Sequence, residues 1–376
     1  MTDMPRKILL NPGPGTTSQS VKDALVVEDI CPREKEFQEV MENLRRDLVK
    51  VVHAGNDYDC VMFAGSGTAV MDACINSVVP PDKKILIVNN GAYGMRLAAI
   101  AKAYGIAVEE MKFAWDSPPS LQAIEEKLAS DADGSIACIA MVHHETTTGL
   151  LNPVKETGAL AQRYGKTFIV DGISSYAAIP IDIEACHIDY LLSTSNKCIQ
   201  GMAGISFVIA KISALESAGK FPSRSYYLDL CEQYAYMKRT GQMTFTAPVQ
   251  IVYALQQAVK EYFDEGAEKR RARYSENWDT LYEGLAKLGF QFLLKPEHES
   301  KILLSVREPT HPDFDFNVLH DRLYARGFTI YPGKIDNTKT FRLAVIGDLR
   351  KQDMLDFRVA LEETLAGMGI QHPLYI

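Results

Sequence analysis

The sequence predicts an α/β fold: a large domain built on a mostly parallel sheet, followed by a smaller α+β domain. Apolar runs typical of buried strands alternate with helix-like stretches from about residue 59 to 210. This alternation is the pattern of a parallel sheet covered by helices on both faces. A long helical stretch then leads into a shorter mixture of strands and helices. The length of 376 residues exceeds one ordinary core and fits two domains.

In the large domain, each short apolar run is interpreted as a strand and each amphipathic stretch as a helix. Polar and glycine-containing residues follow several of the strands directly. Because ligands bind beyond the carboxyl ends of the strands in such sheets, we expect these residues to lie along one edge. The predicted strands are 60–64, 85–88, 108–113, 136–142, 168–170, 188–192 and 205–210, and the predicted helices are 69–79, 93–104, 121–128 and 154–164.

The helical stretch from Pro248 to about Leu288 is predicted to break near Gly266 and to lead into the smaller domain. We expect residues 1–20 to pack on the small domain, 21–255 to form the large domain, and 256–376 to form the small one. The predicted strands of the small domain are 290–294, 302–306, 328–331 and 341–345, and its predicted helices are 317–325 and 354–367.

The composition is that of a globular protein, with 47% hydrophobic and 23% charged residues. The formal charge of −8 argues against nucleic acid as a partner. No stretch predicts a signal peptide or a membrane span. The seven cysteines are dispersed, without a C-x-x-C pair, which is typical of reduced thiols and predicts neither disulfides nor a zinc site. We therefore expect a cytoplasmic protein without a membrane partner.

Lys197 is the strongest candidate for a catalytic residue. It lies between two predicted buried strands, after Ser195 and before Gly201. A lysine in the crevice between strands can lose its proton and attack a carbonyl group. Most lysines are solvated surface charges, so the prediction depends on the accompanying motifs.

Two of these motifs follow strands. The turn formed by residues 65–68 lies between a strand and a helix, where backbone N–H groups can bind a phosphate. It lacks the Gly-Lys-Ser/Thr ending of a P-loop, and glycine and serine are also common in ordinary turns. Asp171 ends the 168–170 strand. A carboxylate there could bind a protonated pyridine nitrogen, although a capping aspartate is the common alternative. With Lys197, these motifs indicate pyridoxal phosphate (PLP) bound as a Schiff base.

Other residues are candidates for ligand contacts. Tyr93 could stack on a flat ring or be an ordinary core aromatic. The run 143–148 resembles a zinc motif but has Thr148 where the second histidine belongs, so we interpret it as a loop at the site, with Thr147 near the ring hydroxyl. Arg342, on an apolar strand, could bind a carboxylate or a phosphonate, or form a structural ion pair. Arg33 could act likewise, although its charged neighbours favour a surface position.

Together and in this order, these motifs resemble the class V aminotransferases among the fold type I PLP enzymes. The resemblance covers nearly the whole chain. It is carried by the runs 9–14 with Thr16 and Thr17, 29–37, 65–68, 143–149 and 195–201. The Cys-Pro-Arg-Glu-Lys-Glu-Phe and Asn-Lys-Cys-Ile-Gln-Gly sequences within them are the most specific, whereas many relatives share the phosphate turn.

The resemblance implies a role for each candidate residue. Lys197 and Asp171 would be catalytic, as the Schiff-base lysine and the partner of the pyridine nitrogen. Thr246 would reach the cofactor phosphate of a neighbouring subunit, which implies a homodimer with shared active sites. The remaining cofactor-binding residues would be Ser66, Gly67, Thr68, Tyr93, Thr147 and Ser195, and the substrate-binding residues would be Arg342, Gly15, Thr16 and Arg33.

The resemblance further implies transamination between a small phosphonate amine and a 2-oxo acid, pyruvate. Three alternatives stay open. The first is an alanine– or serine–glyoxylate aminotransferase of the same class. The second is a cysteine desulfurase, for which Cys198 and Cys231 are poorly suited nucleophiles. The third is a non-catalytic PLP-binding sensor, which would produce no alanine.

Overall fold

A computed structural model describes residues 6–333, 338–371 and 374. The first five residues of the predicted N-terminal segment therefore lie outside the described residues. The large region contains β1 (Ile8–Leu9), α1 (Gln19–Asp23), α2 (Lys35–Lys50), β2 (Tyr58–Gly65), α3 (Gly67–Val78), β3 (Lys84–Asn89), α4 (Ala92–Ala103), β4 (Ala107–Lys112), α5 (Leu121–Ala129), β5 (Ile136–Val142), β6 (His144–Glu145), β7 (Leu150–Leu151), α6 (Val154–Arg163), β8 (Thr167–Asp171), β9 (Tyr190–Thr194), β10 (Gly204–Lys211), α7 (Ile212–Ala218), α8 (Leu230–Thr240) and α9 (Val249–Glu265). The C-terminal region contains α10 (Ala267–Lys287), a 3₁₀ turn (Pro296–His298), β11 (Leu303–Arg307), α11 (Phe316–Ala325), β12 (Phe328–Thr329), β13 (Tyr331–Pro332), β14 (Thr340–Ala344) and α12 (Lys351–Gly367).

A seven-stranded sheet forms the centre of the large region, in the order β2-β10-β9-β8-β5-β3-β4. All strands except β10 run in the same direction, since β10 pairs antiparallel with both β2 and β9. The inner strands β3, β5, β8 and β9 are almost entirely buried, as expected for continuous apolar runs covered on both faces. The predicted mostly parallel α/β sheet is confirmed.

Helix α2 packs against the sheet through one apolar stripe. Phe37, Met41, Leu44 and Leu48 are buried, at intervals of three and four residues that fall on one face of a helix. The sequence analysis did not predict this helix, because charged residues dominate the run between those positions. Helix α2 also contacts β2 and α9, so it covers the antiparallel end of the sheet.

The C-terminal region has its own hydrophobic core around an antiparallel sheet in the order β11-β14-β13. Helices α10 and α12 pack together beside it. Ile8 and Leu10 belong to this same core, and β1 pairs with β12. The N-terminal segment thus packs on the C-terminal region.

The predicted helical break occurs at Gly266, whose φ of +84° suits a residue without a side chain. Helix α9 before it packs on the large core as far as Tyr262, and Tyr274 of α10 belongs to the small core. We therefore propose that the two domains meet at Gly266 and not at residue 255.

Two predicted strands of the small domain differ from the structure. Residues 290–294 form no strand, apart from one isolated bridge between Phe292 and Val306. Phe290 and Leu294 are buried there as core side chains, which explains the apolar pattern. The predicted strand 328–331 is divided into β12 and β13, which pair with different partners. Among the described residues, no helix combines the length and apolarity that crossing a bilayer requires.

Candidate active site

The carboxyl ends of the parallel strands form one edge of the sheet. Asp171, the last residue of β8, is in register with Val142 of β5 and Leu192 of β9. The segments that follow these strands therefore begin side by side. β10 starts at Gly204, opposite Gly65, so its first residue lies at the same edge. The predicted convergence of polar residues at this edge is confirmed.

Lys197 lies in the loop that follows β9, and its side chain is largely enclosed. Its Nζ donates a hydrogen bond to the Pro12 carbonyl oxygen at 2.5 Å. Burial lowers the pKa of this ammonium below its usual value, whereas Tyr93, Cys198 and Asp171 oppose the shift. A lowered pKa increases the fraction of neutral, nucleophilic amine.

The N-terminal segment lies directly over the lysine. Gly13 has a φ of +132°, and a Cβ atom at this position would lie 2.3 Å from Lys197 Nζ. Gly15 N donates to the Asn196 carbonyl at 3.1 Å, and Thr16 forms a bridge with Gly347. Gly15 and Thr16 therefore lie beside the lysine loop, between it and the small domain.

Asp171 is buried and binds its own turn. Its Oδ1 accepts a hydrogen bond from Ile173 N at 2.9 Å. Burial raises the pKa of this carboxyl to about 7, and the nearby Glu145 adds to the shift, whereas Arg96 and Lys197 oppose it. A cation placed beside Asp171 would favour its ionised form.

The turn before α3 has the features of an anion site. Ser66 precedes the helix in an extended conformation, and within the described residues no side chain caps α3. A Cβ atom at Gly67 would meet Ile173 Cδ1 at 3.0 Å, so glycine allows the closest approach between the start of α3 and Ile173. Thr68 Oγ1 accepts a hydrogen bond from Arg96 at 3.1 Å. The N–H groups and partial positive charge of a helix N-terminus bind phosphates.

The sequence analysis missed Arg96, which links two of the predicted cofactor contacts. Its guanidinium lies 4.8 Å from the centre of the Tyr93 ring while it donates to Thr68. Tyr93 and Arg96 are three residues apart on α4, a spacing that places them on one face of the helix. The helical spacing was the only signal in the sequence that could have identified this pair.

The loop 143–149 forms hydrogen bonds with residues of both the large and the small domain. His143 Nδ1 contacts Ser175 Oγ at 3.0 Å, and His144 contacts both Ser174 and Ser300, at 3.0 and 2.9 Å. Burial lowers the pKa of His143 to about 4 and that of His144 to about 3, so both imidazoles are neutral at pH 7. Thr147 is completely buried in this loop and bonds to Glu145.

Arg342 approaches the same loop from β14 of the small domain. Its Nε donates to the Pro332 carbonyl and one Nη to the Thr146 carbonyl, both at 3.1 Å. These bonds leave further N–H groups of the guanidinium for an anion. Burial lowers the pKa of Arg342, and the charge of Glu145 opposes this shift.

Three predicted residues make other contacts. Ser195 is buried, and its hydroxyl donates to the carbonyls of Met202 in its own loop and Ile205 in β10. Arg33 is exposed and donates to the carbonyls of Met243 and Thr244, at 2.7 and 3.1 Å. Thr246, two residues beyond that contact, is also exposed. Within one chain, Arg33 and Thr246 thus share a surface region, whereas the other predicted residues converge on the sheet edge.

Comparison with known proteins assigns the family. Residues 20–322 match the family described as Aminotransferase class-V. The chain belongs to the class V aminotransferases. It is 42% identical over 364 residues to the 2-aminoethylphosphonate–pyruvate transaminase of Salmonella heidelberg (strain SL476), covering 96% of this chain and 98% of the relative. The corresponding protein of Burkholderia thailandensis is 40% identical over 365 residues, covering 96% and 98%.

A solved structure shows the same architecture. The alanine–glyoxylate aminotransferase from Nostoc sp. superposes with a TM-score of 0.89, at 27% identity and with 96% of each chain covered. The predicted fold type I architecture is thereby confirmed. Class V aminotransferases are PLP-dependent, so the predicted cofactor is confirmed as well.

The residues at the sheet edge fit PLP on structural grounds. The turn before α3 offers N–H groups and hydroxyls to a phosphate, beside the Arg96 cation. Asp171 is a buried carboxyl, and a neighbouring cation such as a protonated ring nitrogen would favour its ionised form. Lys197 supplies a desolvated amine between these two groups along the edge.

The two candidate cysteines, Cys198 and Cys231, do not fit a desulfurase nucleophile. Cys198 is completely buried and its Sγ contacts the Ser174 carbonyl at 3.2 Å. Burial raises the pKa of Cys198 to about 12, and that of Cys231 to about 12 as well. Thiols that remain protonated at pH 7 are weak nucleophiles.

Proposed function

We propose that this protein transfers the amino group of 2-aminoethylphosphonate to pyruvate, giving phosphonoacetaldehyde and alanine. The observation that carries the proposal is the 42% identity, over 98% of its length, to the 2-aminoethylphosphonate–pyruvate transaminase of Salmonella heidelberg. Three buried side chains support the proposal, because the reaction requires an amine, a partner for the ring nitrogen and a contact for the substrate anion. These would be supplied by Lys197, Asp171 and Arg342 respectively.

Bound PLP supplies an electron sink that stabilises negative charge on the donor carbon. Lys197 would hold the cofactor through its amine, and the neutral amine would accept a proton from the carbon that bears the amino group. Burial favours the neutral form of Lys197 that this step requires. Asp171 would hold a proton on the ring nitrogen, because a carboxylate beside that nitrogen favours its protonated form.

Arg342 is the proposed contact for the anionic group of the substrate. A guanidinium binds phosphonate or carboxylate oxygens through two parallel hydrogen bonds. Its contacts with Thr146 and Pro332 fix its orientation in advance. The phosphonate of the donor and the carboxylate of pyruvate would bind there in turn, with Gly15 and Thr16 as neighbours of the same space.

We further propose a homodimer in which Thr246 and Arg33 lie next to the partner's site. An exposed aromatic cluster contains Tyr226, Tyr227 and Phe245, and the ring centres of Tyr227 and Phe245 are stacked 4.7 Å apart. Phe245 directly precedes Thr246 in the chain. Tyr226 is 90% exposed in the single chain. Such a patch of exposed aromatic rings favours burial against another protein surface. The dispersed free cysteines are compatible with a cytoplasmic location, which we also propose.

The test measures the amino acid formed, alanine from pyruvate or glycine from glyoxylate, with 2-aminoethylphosphonate, β-alanine and serine each supplied separately as the donor. The proposal predicts the highest kcat/KM for the phosphonate donor with pyruvate. Higher kcat/KM with serine and glyoxylate would instead support the glyoxylate type. Absence of alanine from a protein that binds PLP would support a non-catalytic sensor.

A further inference from the structure

Glu145 is a completely buried carboxylate at the active-site edge, and the reaction described above does not use it. It ends β6, in the same loop as Thr147. Its Oε1 accepts hydrogen bonds from the Thr147 hydroxyl at 2.6 Å and from Thr147 N at 3.2 Å. Its Oε2 accepts from Tyr93 N at 3.2 Å and Gly94 N at 3.4 Å. The side chain therefore connects the loop to the first turn of α4.

The hydrogen-bond partners of Glu145 favour its ionised form. Burial raises the pKa of this carboxyl, and its hydrogen bonds oppose the shift. All four bonds come from donors, namely three backbone N–H groups and one hydroxyl. A protonated carboxyl could keep a bond to the Thr147 hydroxyl only by donating to it, whereas the ionised carboxyl accepts from that hydroxyl. The N-terminus of α4 also adds partial positive charge that stabilises an anion.

Glu145 also determines which way the Thr147 hydroxyl points. A hydroxyl has one proton to donate and two lone pairs. The proton goes to Glu145, and one lone pair accepts from Ala92 N at 3.1 Å. Only one lone pair remains, so Thr147 can accept from a ligand but cannot donate to it while Glu145 is ionised.

Gly91 leaves the space that the Glu145 carboxylate occupies. A Cβ atom at Gly91 would lie 2.3 Å from Glu145 Cδ, so any side chain there would displace the carboxylate. The charge also acts beyond its direct contacts, because Glu145 raises the pKa of Asp171 and opposes the lowering of the Arg342 pKa.

We propose that Glu145 is a positioning residue of the cofactor site, whose carboxylate orients the Thr147 hydroxyl and holds the start of α4, with Tyr93, against the loop. The proposal rests on the proposed contacts of Thr147 and Tyr93 with PLP. It explains why a costly buried charge lies between two residues that face the ligand.

The test compares Glu145→Gln, Thr147→Val and the double variant, using PLP titration of the full chain after removal of its cofactor. Glutamine has the same shape but brings an NH2 donor against groups that also donate. We expect each single variant to raise the Kd for PLP about tenfold, the effect of losing one hydrogen bond to a charged group. Because Glu145 acts through Thr147, the double variant should bind about as weakly as the single variants.

Asp131→Asn is the matched control. Asp131 is an equally well bonded carboxylate at the opposite edge of the sheet, with hydrogen bonds from Ser135, Ile136 and Lys166. This variant should lower the melting temperature without changing the Kd for PLP. If Glu145→Gln does the same, Glu145 is merely structural and the proposal is wrong. A double variant weakened by the product of the two single effects contradicts it as well.

The absorbance of the bound cofactor gives a second readout. A nearby negative charge favours the protonated form of a titrating group. Glu145→Gln should therefore lower the pH midpoint of the visible absorbance change, whereas Thr147→Val, which keeps the charge, should shift it less. Equal midpoints in Glu145→Gln and wild type contradict the proposal.

Should Glu145→Gln not fold, the Thr147 variants still test the hydroxyl contact on which the proposal depends. Thr147→Ser keeps the hydroxyl and should recover most of the affinity that Thr147→Val loses, and equal Kd values in the two contradict the proposal. A wild-type chain that takes up no PLP would refute the proposed function together with this inference. Normal uptake by the wild type with an unchanged Kd in Glu145→Gln refutes this inference only.

Discussion

At Asp171 and Lys197, burial changes ordinary side chains into reactive ones. Removal from water raises the pKa of the Asp171 carboxyl to about 7 and lowers that of the Lys197 ammonium. Both shifts have desolvation as their largest cause, because water no longer stabilises the charged forms. Each residue therefore gains stability when a ligand supplies the missing partner, a ring cation for Asp171 or a carbonyl carbon for Lys197.

Replacement of Asp171 by asparagine should lower kcat by about ten- to a hundredfold, since a hydrogen bond to a charged group is lost. The amide keeps the shape but cannot stabilise a protonated ring nitrogen. Steady-state rates at saturating donor measure the effect. Asp189→Asn is the control, because Asp189 is a half-buried carboxylate at the other end of β8, where it accepts from Phe168 N. Similar kcat values for the two variants would rule out the role of Asp171.

Glu299 predicts a pH dependence of stability. Neither of its carboxyl oxygens has a hydrogen-bond partner among the described residues, and burial raises its pKa to about 9. The folded chain thus holds this proton more tightly than the unfolded chain does. The resulting stabilisation is complete below the unfolded pKa and is lost as pH rises towards about 9.

Glu299→Gln removes this ionisation, so it should flatten the decline in the free energy of unfolding between pH 5 and about pH 9. Urea titrations at several pH values measure the slope. The exposed neighbour Glu297 supplies the control variant, Glu297→Gln, which should keep the wild-type slope. Parallel pH curves for the two variants would show that Glu299 is ionised in the folded protein.

Individual residues also show which features of the site could not be predicted from the sequence. Lys197 and Asp171 were predictable because each follows an apolar strand, and strand ends meet at one edge. Arg96, Glu145 and Glu299 were not recognised. From the sequence alone, a charged residue is expected to be exposed, and only tertiary packing shows that it is buried.

At the scale of elements, periodicity predicted the strands and helices of the central sheet to within about two residues. The antiparallel direction of β10 was not predicted, because an apolar run carries no information on direction. Residues 290–294 were wrongly predicted as a strand, since a buried irregular segment has the same composition as a short strand. Helix α2 was missed because its narrow apolar stripe is interrupted by charges.

The N-terminal segment over Lys197 allows a test at this scale. An alanine Cβ at Gly13 would meet the end of the Lys197 side chain, which can move aside. We expect Gly13→Ala to lower kcat by about a hundredfold, the typical effect of misplacing a catalytic group by about 1 Å. Its loss of stability should be only that of a non-glycine residue at positive φ, about 1–2 kcal/mol.

Gly105→Ala separates the two effects. Gly105 also has a positive φ, of +67°, but apart from its chain neighbours no described residue lies within 4 Å of its added Cβ. This variant should lose similar stability in thermal unfolding and keep wild-type turnover. If Gly13→Ala retained full turnover, the close approach to Lys197 would have no catalytic consequence.

At the scale of the whole molecule, one chain places its functional residues in two regions. Lys197, Asp171 and Arg342 converge between the two domains, whereas Thr246 and Arg33 lie on the surface beside the exposed aromatic cluster. Sequence spacing could not reveal this separation, because it depends on how the whole chain folds. In the proposed symmetric dimer, the second region of each chain would lie next to the first region of its partner.

Hybrid dimers test whether the sites are shared. Lys197→Ala inactivates the site that uses its own lysine, and Thr246→Glu places a negative charge where a phosphate would bind. If Thr246 serves the partner's site, a dimer with one chain of each variant has one complete site and one doubly altered site. Such hybrids, purified through two different tags, should show about half the wild-type activity although each parent is inactive.

A hybrid of Lys197→Ala with Arg342→Ala provides the matched comparison. Both residues belong to the same chain's site, so each site in this hybrid retains one alteration and the dimer should stay inactive. If the Thr246→Glu hybrid were equally inactive, Thr246 would serve its own chain and the shared-site dimer would be disproved. Recovery in the first hybrid alone is the result that a shared-site dimer predicts. It would require the surface around Phe245 to be the contact between subunits, because Thr246 directly follows Phe245 in the chain.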